Sequence, residues 1–329
     1  MFKFLYRLTD KVLEGKNITL DEASLLLQVT EQRDIIFLIS FANTIREEFK
    51  GSVIDLCAIM NAKSGKCSED CAFCSQSAHH QTDIQRYPLA NREDIVREAG
   101  EALQMGANRF SIVMSGRNIN DPEEIESICS AIEDISSNVG IGRCASVGTL
   151  TGETARALKN AGLERYHHNL ETAESFFPRI CATHSYQDRI ATVKTAKEEG
   201  LKICCGGILG LGETPAQRLE LAFTLKGLDV DSIPLNFLVP VKGTPLESAL
   251  PVPPMEILKT IAIFRFILPA KDIRICGGRG RNLRNIQPLI YLAGANGVMI
   301  GNYLTTPGSD PKEDLQSIED LLLTTNLIV

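Results

Sequence analysis

The chain has 329 residues, 44% hydrophobic and 23% charged, enough apolar material for a large packed core. A formal net charge of −7 argues against a nucleic-acid partner, which would call for a basic face. No apolar run is long enough to span a bilayer, and Met1-Phe2-Lys3-Phe4-Leu5-Tyr6-Arg7 lacks a secretory signal's apolar stretch, so a cytoplasmic protein is expected.

Residues 1–50 read as helices. Thr19 followed by Glu22 has the capping-box pattern, and Ile35, Ile36, Leu38, Ile39, Ala42 and Ile45 recur near the helical period. They form an N-terminal helical cap on a single domain whose body is residues 51–329. From Val53 onward eight short β-branched runs follow: Val53–Met60, Arg109–Met114, Gly142–Val147, Arg165–Leu170, Lys202–Leu209, Ser232–Val239, Asp272–Cys276 and Gly297–Ile300. Helical stretches follow most of them, such as Arg92–Met105, Pro122–Ser136, Tyr186–Gly200, Ala216–Lys226, Met255–Leu268 and Leu283–Ala295. Gly106, Gly162, Gly200 and Gly227 stand where helices should stop. The repeats predict an α/β fold, a (β/α)8 TIM-type barrel with its chemistry at the C-terminal ends of the strands. An incomplete six-repeat barrel is the alternative. Residues 308–329 read as a closing helix and a short tail.

Just after the first strand, in a loop spanning 61–86, lies Cys67-Ser68-Glu69-Asp70-Cys71-Ala72-Phe73-Cys74. Three thiols at C-x3-C-x2-C spacing can hold three corners of a 4Fe–4S cubane and leave one iron open. A zinc knuckle or redox pair is the competing reading, but zinc loops use C-x2-C doublets and a fourth ligand at related spacing, which is missing here. Ten cysteines in a chain without an export signal read as ligands and free thiols.

Strand alternation predicts which side chains share the barrel interior. His167, Asn169 and Glu171 fall on one face, opposite Leu170; Arg274 and Cys276 share a face, opposite Ile275. Ser111, Cys144 and Cys204 are assigned inward by the same reasoning, whereas Cys205 points away from Cys204 and Cys57 is open to either face. Thiols converging from several strands suggest a second metal cluster, since a single buried cysteine would be only a small hydrophobe. Cys129 belongs to the apolar face of Ile125, Ile128 and Ile132, and Cys181, in a loop, carries no assigned role. Gly206, Gly207, Gly210 and Gly212 would let backbone approach a bound moiety closely, and Asn236 is polar among apolar neighbours.

Several stretches together carry a resemblance. Asn61-Ala62-Lys63-Ser64-Gly65-Lys66, the cysteine loop with its Phe73, Tyr166 to Thr172, Ser185 to Arg189, Gly206 to Glu213 and Asn236 to Leu246 resemble biotin synthases of the radical S-adenosylmethionine superfamily, over roughly residues 50–285. The resemblance implies a homodimeric barrel that inserts sulfur into dethiobiotin, served by a reductant protein such as flavodoxin or ferredoxin. It assigns Cys67, Cys71 and Cys74 to the 4Fe–4S cluster, and Phe73, Glu171, Arg189 and the glycines 206, 207, 210 and 212 to S-adenosylmethionine. Lys63, Asn169 and Asn236 match residues lining the substrate site, and His167 stands where Asn is frequent. The family's auxiliary 2Fe–2S cluster uses three cysteines and an arginine. Cys144, Cys204 and Arg274 match three of those positions, but the fourth is Ser111, while Cys276 stands where the family has Ser. An auxiliary cluster of a different type, on Cys144, Cys204 and Cys276 with Arg274 nearby, is therefore expected. A hydrogenase-maturation-type radical lyase and a non-catalytic iron–sulfur protein are the rival readings.

Overall fold

The computed structural model describes residues 1–326 and opens with three helices, α1 (Phe2–Leu13), α2 (Leu20–Leu27) and α3 (Gln32–Lys50). The expected capping box forms: Glu22 N donates to Thr19 Oγ1 at 3.2 Å and Thr19 N donates to the Glu22 carboxylate at 2.7 Å.

The β-branched runs then become the staves of a closed parallel barrel. They are β1 (Val53–Lys63), β2 (Arg109–Met114), β3 (Gly142–Ser146), β4 (Arg165–His167), β5 (Lys202–Cys204) continued by β6 (Gly207–Leu209), β7 (Ser232–Phe237), β8 (Asp272–Ile275) and β9 (Gly297–Met299). β9 pairs back onto β1, Asp55 beside Gly297, which closes the ring and excludes a six-stave barrel. β5 and β6 act as one stave, since both pair with β7. Glycine is required at its break: a Cβ at Gly206 would lie 2.0 Å from Pro234 O, and one at Gly207 2.5 Å from Glu171 O.

Outside the staves run α4 (Arg92–Gln104), α5 (Pro122–Asn138), α6 (Gly152–Asn160), α7 (Tyr186–Glu198), α8 (Pro215–Gly227) and α9 (Pro254–Ile267). α9 is buried almost all round because α3 lies over it, packing Leu38, Ala42 and Ile45 inward. Gly106, Gly162 and Gly200 adopt the left-handed conformation as expected of helix stops. Gly227 does not: it is the last residue of α8, and Asp229 takes the positive φ, 51°.

The single helix expected over Leu283–Ala295 is broken. α10 (Arg279–Leu283), a 3-10 turn at Arg284–Ile286 and α11 (Leu289–Leu292) replace it. Arg284 has φ 54°, and Pro288 lacks the amide hydrogen that a continuous helix would use. The C-terminal α12 (Pro311–Asp320) is the expected closing helix, followed by β10 (Thr324–Thr325), which pairs with Val53 and Ile54. The end of the expected tail, 327–329, lies outside the described residues. Among the described residues no helix is long and apolar enough to cross a membrane.

Candidate active site

β1 feeds the cysteine loop directly into the C-terminal mouth of the barrel, the end at which strand-borne chemistry collects. The loop is pinned at several points: Ser64 and Tyr87 exchange backbone bonds, Cys67 N donates to Gln76 O at 3.1 Å, and Ala78 N donates to Cys67 O at 2.7 Å. Cys74 N donates to Cys71 O at 2.9 Å, a tight turn that joins the last two cysteines of the loop. No described cysteine is in a disulfide. Burial pushes the Cys74 thiol up to about 11 and raises Cys67, so their thiolates form readily only when a cationic group compensates them. Three soft donors on one turn fit an iron–sulfur cubane with an open corner better than a four-ligand zinc site.

Behind the loop a second set of contacts, unassigned from sequence, fixes it to the β4–α7 connection. Ala72 N donates to Ile180 O at 2.8 Å, and Asp70 Oδ1 accepts from Ala182 N at 3.0 Å and Thr183 N at 3.1 Å. Burial works against the Asp70 charge, but these donors hold its carboxyl well below the usual range. Cys181 Sγ lies 3.9 Å from Cys71 Sγ and 3.2 Å from both Asp70 Oδ1 and His184 Nδ1. Glu69 caps the group through its carboxylate bond with His184.

Below the loop a cavity of about 380 Å³ enters the barrel, lined by Phe73 and Cys74 and, from the strands, by Cys57, Cys144, Cys204 and Cys276. Register explains the convergence, with Ser111 beside Cys144 and His167 beside Cys204. His167 Nδ1 is 3.4 Å from Cys204 Sγ, and burial lowers its imidazole toward the neutral form. Burial pushes the Cys144 thiol up to about 11 and raises Cys204 and Cys276. Arg274 donates through Nη1 to Asp55 O at 3.2 Å and through Nη2 to the Asp55 carboxylate. Burial disfavours that guanidinium's charge, yet the Asp55 carboxylate holds it firmly protonated.

Most of the expected residues meet here. Phe73, Glu171, His167, Asn169 and Asn236 line the cavity with Ser111, Arg274 and the thiols. Asn169 Oδ1 accepts from Gly206 N at 3.0 Å and its Nδ2 lies 3.4 Å from Glu171 Oε2. Asn236 Oδ1 accepts from Gly277 N at 2.9 Å, and Nδ2 donates to Gly207 O at 3.3 Å. Both amides are therefore satisfied by the barrel while still facing the cavity. Glu171 sits at φ 70°, held by Ile208 N donating to its carbonyl at 2.8 Å. Arg189 reaches it from α7, 3.5 Å from Glu171 Oε1 and 2.8 Å from Asn169 O.

Other expected residues stand off the cavity. The Lys63 ammonium pairs with Glu124 Oε1 at 2.5 Å, on α5. Gly206, Gly207, Gly210 and Gly212 frame the wall rather than line it, with Ile208 facing in. Gly210 N and Leu211 N donate to the Glu213 carboxylate at 2.9 and 2.8 Å, which Arg218 in turn binds at 2.8 Å.

Cys57, which alternation left open, faces the cavity. So do Arg109 and Arg165, two residues before Ser111 and His167; the same alternation points to both. Tyr303 to Thr306, in the connection after β9, close the wall without any motif to announce them. A separate cavity of about 350 Å³ near Arg279, Gln287 and Tyr291 lies outside the barrel and contains none of the expected residues.

Barrel and cysteine loop together define a radical S-adenosylmethionine enzyme. The Radical SAM superfamily model matches residues 62–225, and the Biotin and Thiamin Synthesis associated domain matches residues 234–324. The crystal structure of methylornithine synthase superposes with TM-score 0.82 at 20% identity, covering 97% of each chain. The FeFe-hydrogenase maturase HydG of Carboxydothermus hydrogenoformans gives 0.82 at 19%, covering 99% of this chain and 80% of that one; at such identities only the fold is shared. The biotin synthase of Geobacter sulfurreducens is 51% identical over 324 residues, 98% of each chain, and that of Clostridium acetobutylicum 49% over 315 residues, 95% of this chain and 96% of its own. The chain belongs to the biotin synthase family.

Proposed function

We propose that this protein converts dethiobiotin to biotin, with Cys67, Cys71 and Cys74 holding a 4Fe–4S cluster and with an auxiliary iron–sulfur cluster on Cys144, Cys204 and Cys276. The observation that carries the reading is the single cavity joining the loop, at Phe73 and Cys74, to the thiols of the strands. Its volume, about 380 Å³, is of the size that takes small molecules. When bound, S-adenosylmethionine and the loop cluster supply a hydrogen-abstracting radical, and the auxiliary cluster supplies sulfur.

The chain's own residues bind, orient and shield. Glu171, fixed by its backbone bonds and by Arg189, offers a carboxylate to the ribose hydroxyls of S-adenosylmethionine, beside Phe73. Asn169 and Asn236, locked by backbone partners, present their outward amide faces to the ureido group of dethiobiotin. His167, lowered toward the neutral form by burial, lies beside Cys204. Lys63, held off the cavity by Glu124, suits the substrate carboxylate once released from that pair. Tyr303 to Thr306 form one side of the cavity that receives the substrate. A homodimer served by flavodoxin or ferredoxin in a reducing cytoplasm completes the reading on the strength of the resemblance; sedimentation would test the dimer.

The test is an anaerobic single turnover of reconstituted protein with dithionite, S-adenosylmethionine and dethiobiotin, read by mass spectrometry. Biotin with about two 5′-deoxyadenosines per product, one for each hydrogen removed, is the expected result. Deoxyadenosine without biotin would leave radical chemistry on another substrate.

A further inference from the structure

Five small polar or thiol side chains reach the cavity from the barrel strands: Cys57 on β1, Ser111 on β2, Cys144 on β3, Cys204 on β5 and Cys276 just beyond β8. All four thiols line the same cavity, and strand register sets Cys57 beside Arg109 and Cys144 beside Ser111. All are at least nine-tenths buried, at 9%, 8%, 8% and 1% exposure for Cys57, Cys144, Cys204 and Cys276.

An auxiliary cluster on Cys144, Cys204 and Cys276 needs a further donor, and two of the candidates fail on chemistry. Ser111 would have to lose a proton from a neutral hydroxyl in a buried site. Arg274, at the position of the family's arginine, is here engaged by Asp55, through one bond to the carbonyl and one to the carboxylate, an ion pair that keeps its guanidinium protonated. It neutralises rather than ligates, together with Arg109 and Arg165 on the same lining. That positive frame is what a buried set of thiolates requires. With Cys74 assigned to the loop cluster, Cys57 is the one remaining thiol among the described residues that line the cavity.

We propose that Cys57 is the fourth thiolate of the auxiliary cluster, so that Cys57, Cys144, Cys204 and Cys276 make a four-cysteine site with Arg274 as its counter-charge. This rests on the reading of an auxiliary cluster given above. Four thiolates are the complement that holds 2Fe–2S and 4Fe–4S clusters without a non-cysteine ligand. Cys205 supplies the contrast. It is fully buried one residue from Cys204, yet it is absent from the cavity and serves the packing alone.

The experiment compares anaerobically reconstituted wild type with Cys57→Ala, Cys57→Ser and Cys205→Ala for iron, acid-labile sulfide and Mössbauer spectrum. S-adenosylmethionine cleavage to 5′-deoxyadenosine serves as the check that the barrel and loop cluster are intact. Wild type and Cys205→Ala should hold iron beyond the about four atoms of the loop cluster, and Cys57→Ala should fall to about four while still cleaving S-adenosylmethionine. Cys57→Ser, which keeps the volume, should lose the auxiliary iron or show an altered iron site in the spectrum. Wild-type iron with an unchanged spectrum in either Cys57 variant overturns the proposal and leaves the auxiliary cluster standing. Wild type that itself holds only the loop cluster overturns both.

Discussion

Cys181 Sγ lies 3.9 Å from Cys71 Sγ, so a thiol outside the three-cysteine motif contacts one of the sulfurs expected to ligate iron. Hydrogen bonds to cluster sulfurs are among the determinants of reduction potential, because they stabilise the more negative, reduced state. The Cys71 thiol donates to Cys181 when both are protonated; once Cys71 is a deprotonated ligand the proton of this contact can come only from Cys181, so Cys181→Ala should make the loop cluster harder to reduce. A lost hydrogen bond of about 1 kcal/mol corresponds to a shift on the order of 40 mV for a one-electron couple. Redox titration followed by electron paramagnetic resonance reads it directly; an unchanged potential would show that Cys181 serves packing only.

Arg189 ties three separate pieces together, its Nη1 2.8 Å from Asn169 O and 3.5 Å from Glu171 Oε1, and its Nε 3.0 Å from His184 Nε2. Lysine keeps the charge but cannot span these acceptors with one planar group. Arg189→Lys should weaken S-adenosylmethionine binding about tenfold, roughly 1.4 kcal/mol, while leaving loop-cluster iron unchanged. Equilibrium binding to reconstituted protein checks this, and equal affinity in the two proteins would remove Arg189 from the binding machinery.

Gly207→Ala places a methyl 2.5 Å from the carbonyl oxygen of Glu171, a backbone atom that cannot swing aside. Overpacking of this kind costs about 1–3 kcal/mol, and here the displaced residue is one assigned to cofactor binding. Lower stability to denaturant together with weaker S-adenosylmethionine binding is the expected pair of effects. Loss of stability alone would show that Glu171 can move without consequence.

Asp272 joins the N-terminal helices to the barrel: Lys50 Nζ lies 2.6 Å from its Oδ1, and Asn296 Nδ2 donates to the same oxygen at 3.0 Å. Burial disfavours the charge, but Lys50 and Asn296 more than offset it and bring the carboxyl down to about 2 from an ordinary 3.8. The folded value is the lower one, so the stabilisation is present above the unfolded value and disappears as pH falls through the folded one. It amounts to about 2 kcal/mol. Asp272→Asn should lose that stability at neutral pH and show a shallower decline between roughly pH 4 and pH 2. Denaturant midpoints across the acid range measure it, and parallel curves for the two proteins would refute the assignment.

The parts of this protein that depend on short-range pattern were legible in the chain itself. The capping box at Thr19 and Glu22, the eight β-branched runs, the cysteine loop and the shared faces of Arg274 with Cys276 and of His167 with Asn169 and Glu171 follow from spacing, because a helix repeats every 3.6 residues and a strand every two. The break after Leu283 is hidden by the apolar period, which runs on through Pro288 and the left-handed Arg284. What only the tertiary structure decided are the contacts between residues remote in sequence. Cys57 and Cys276 line one cavity because β9 closes the ring between β8 and β1, and Cys181 meets Cys71 because Asp70 gathers the amides of Ala182 and Thr183. Alternation fixes the faces of a strand relative to one another, but which face becomes the inside depends on closure of the whole barrel, and closure is a property of all its strands at once.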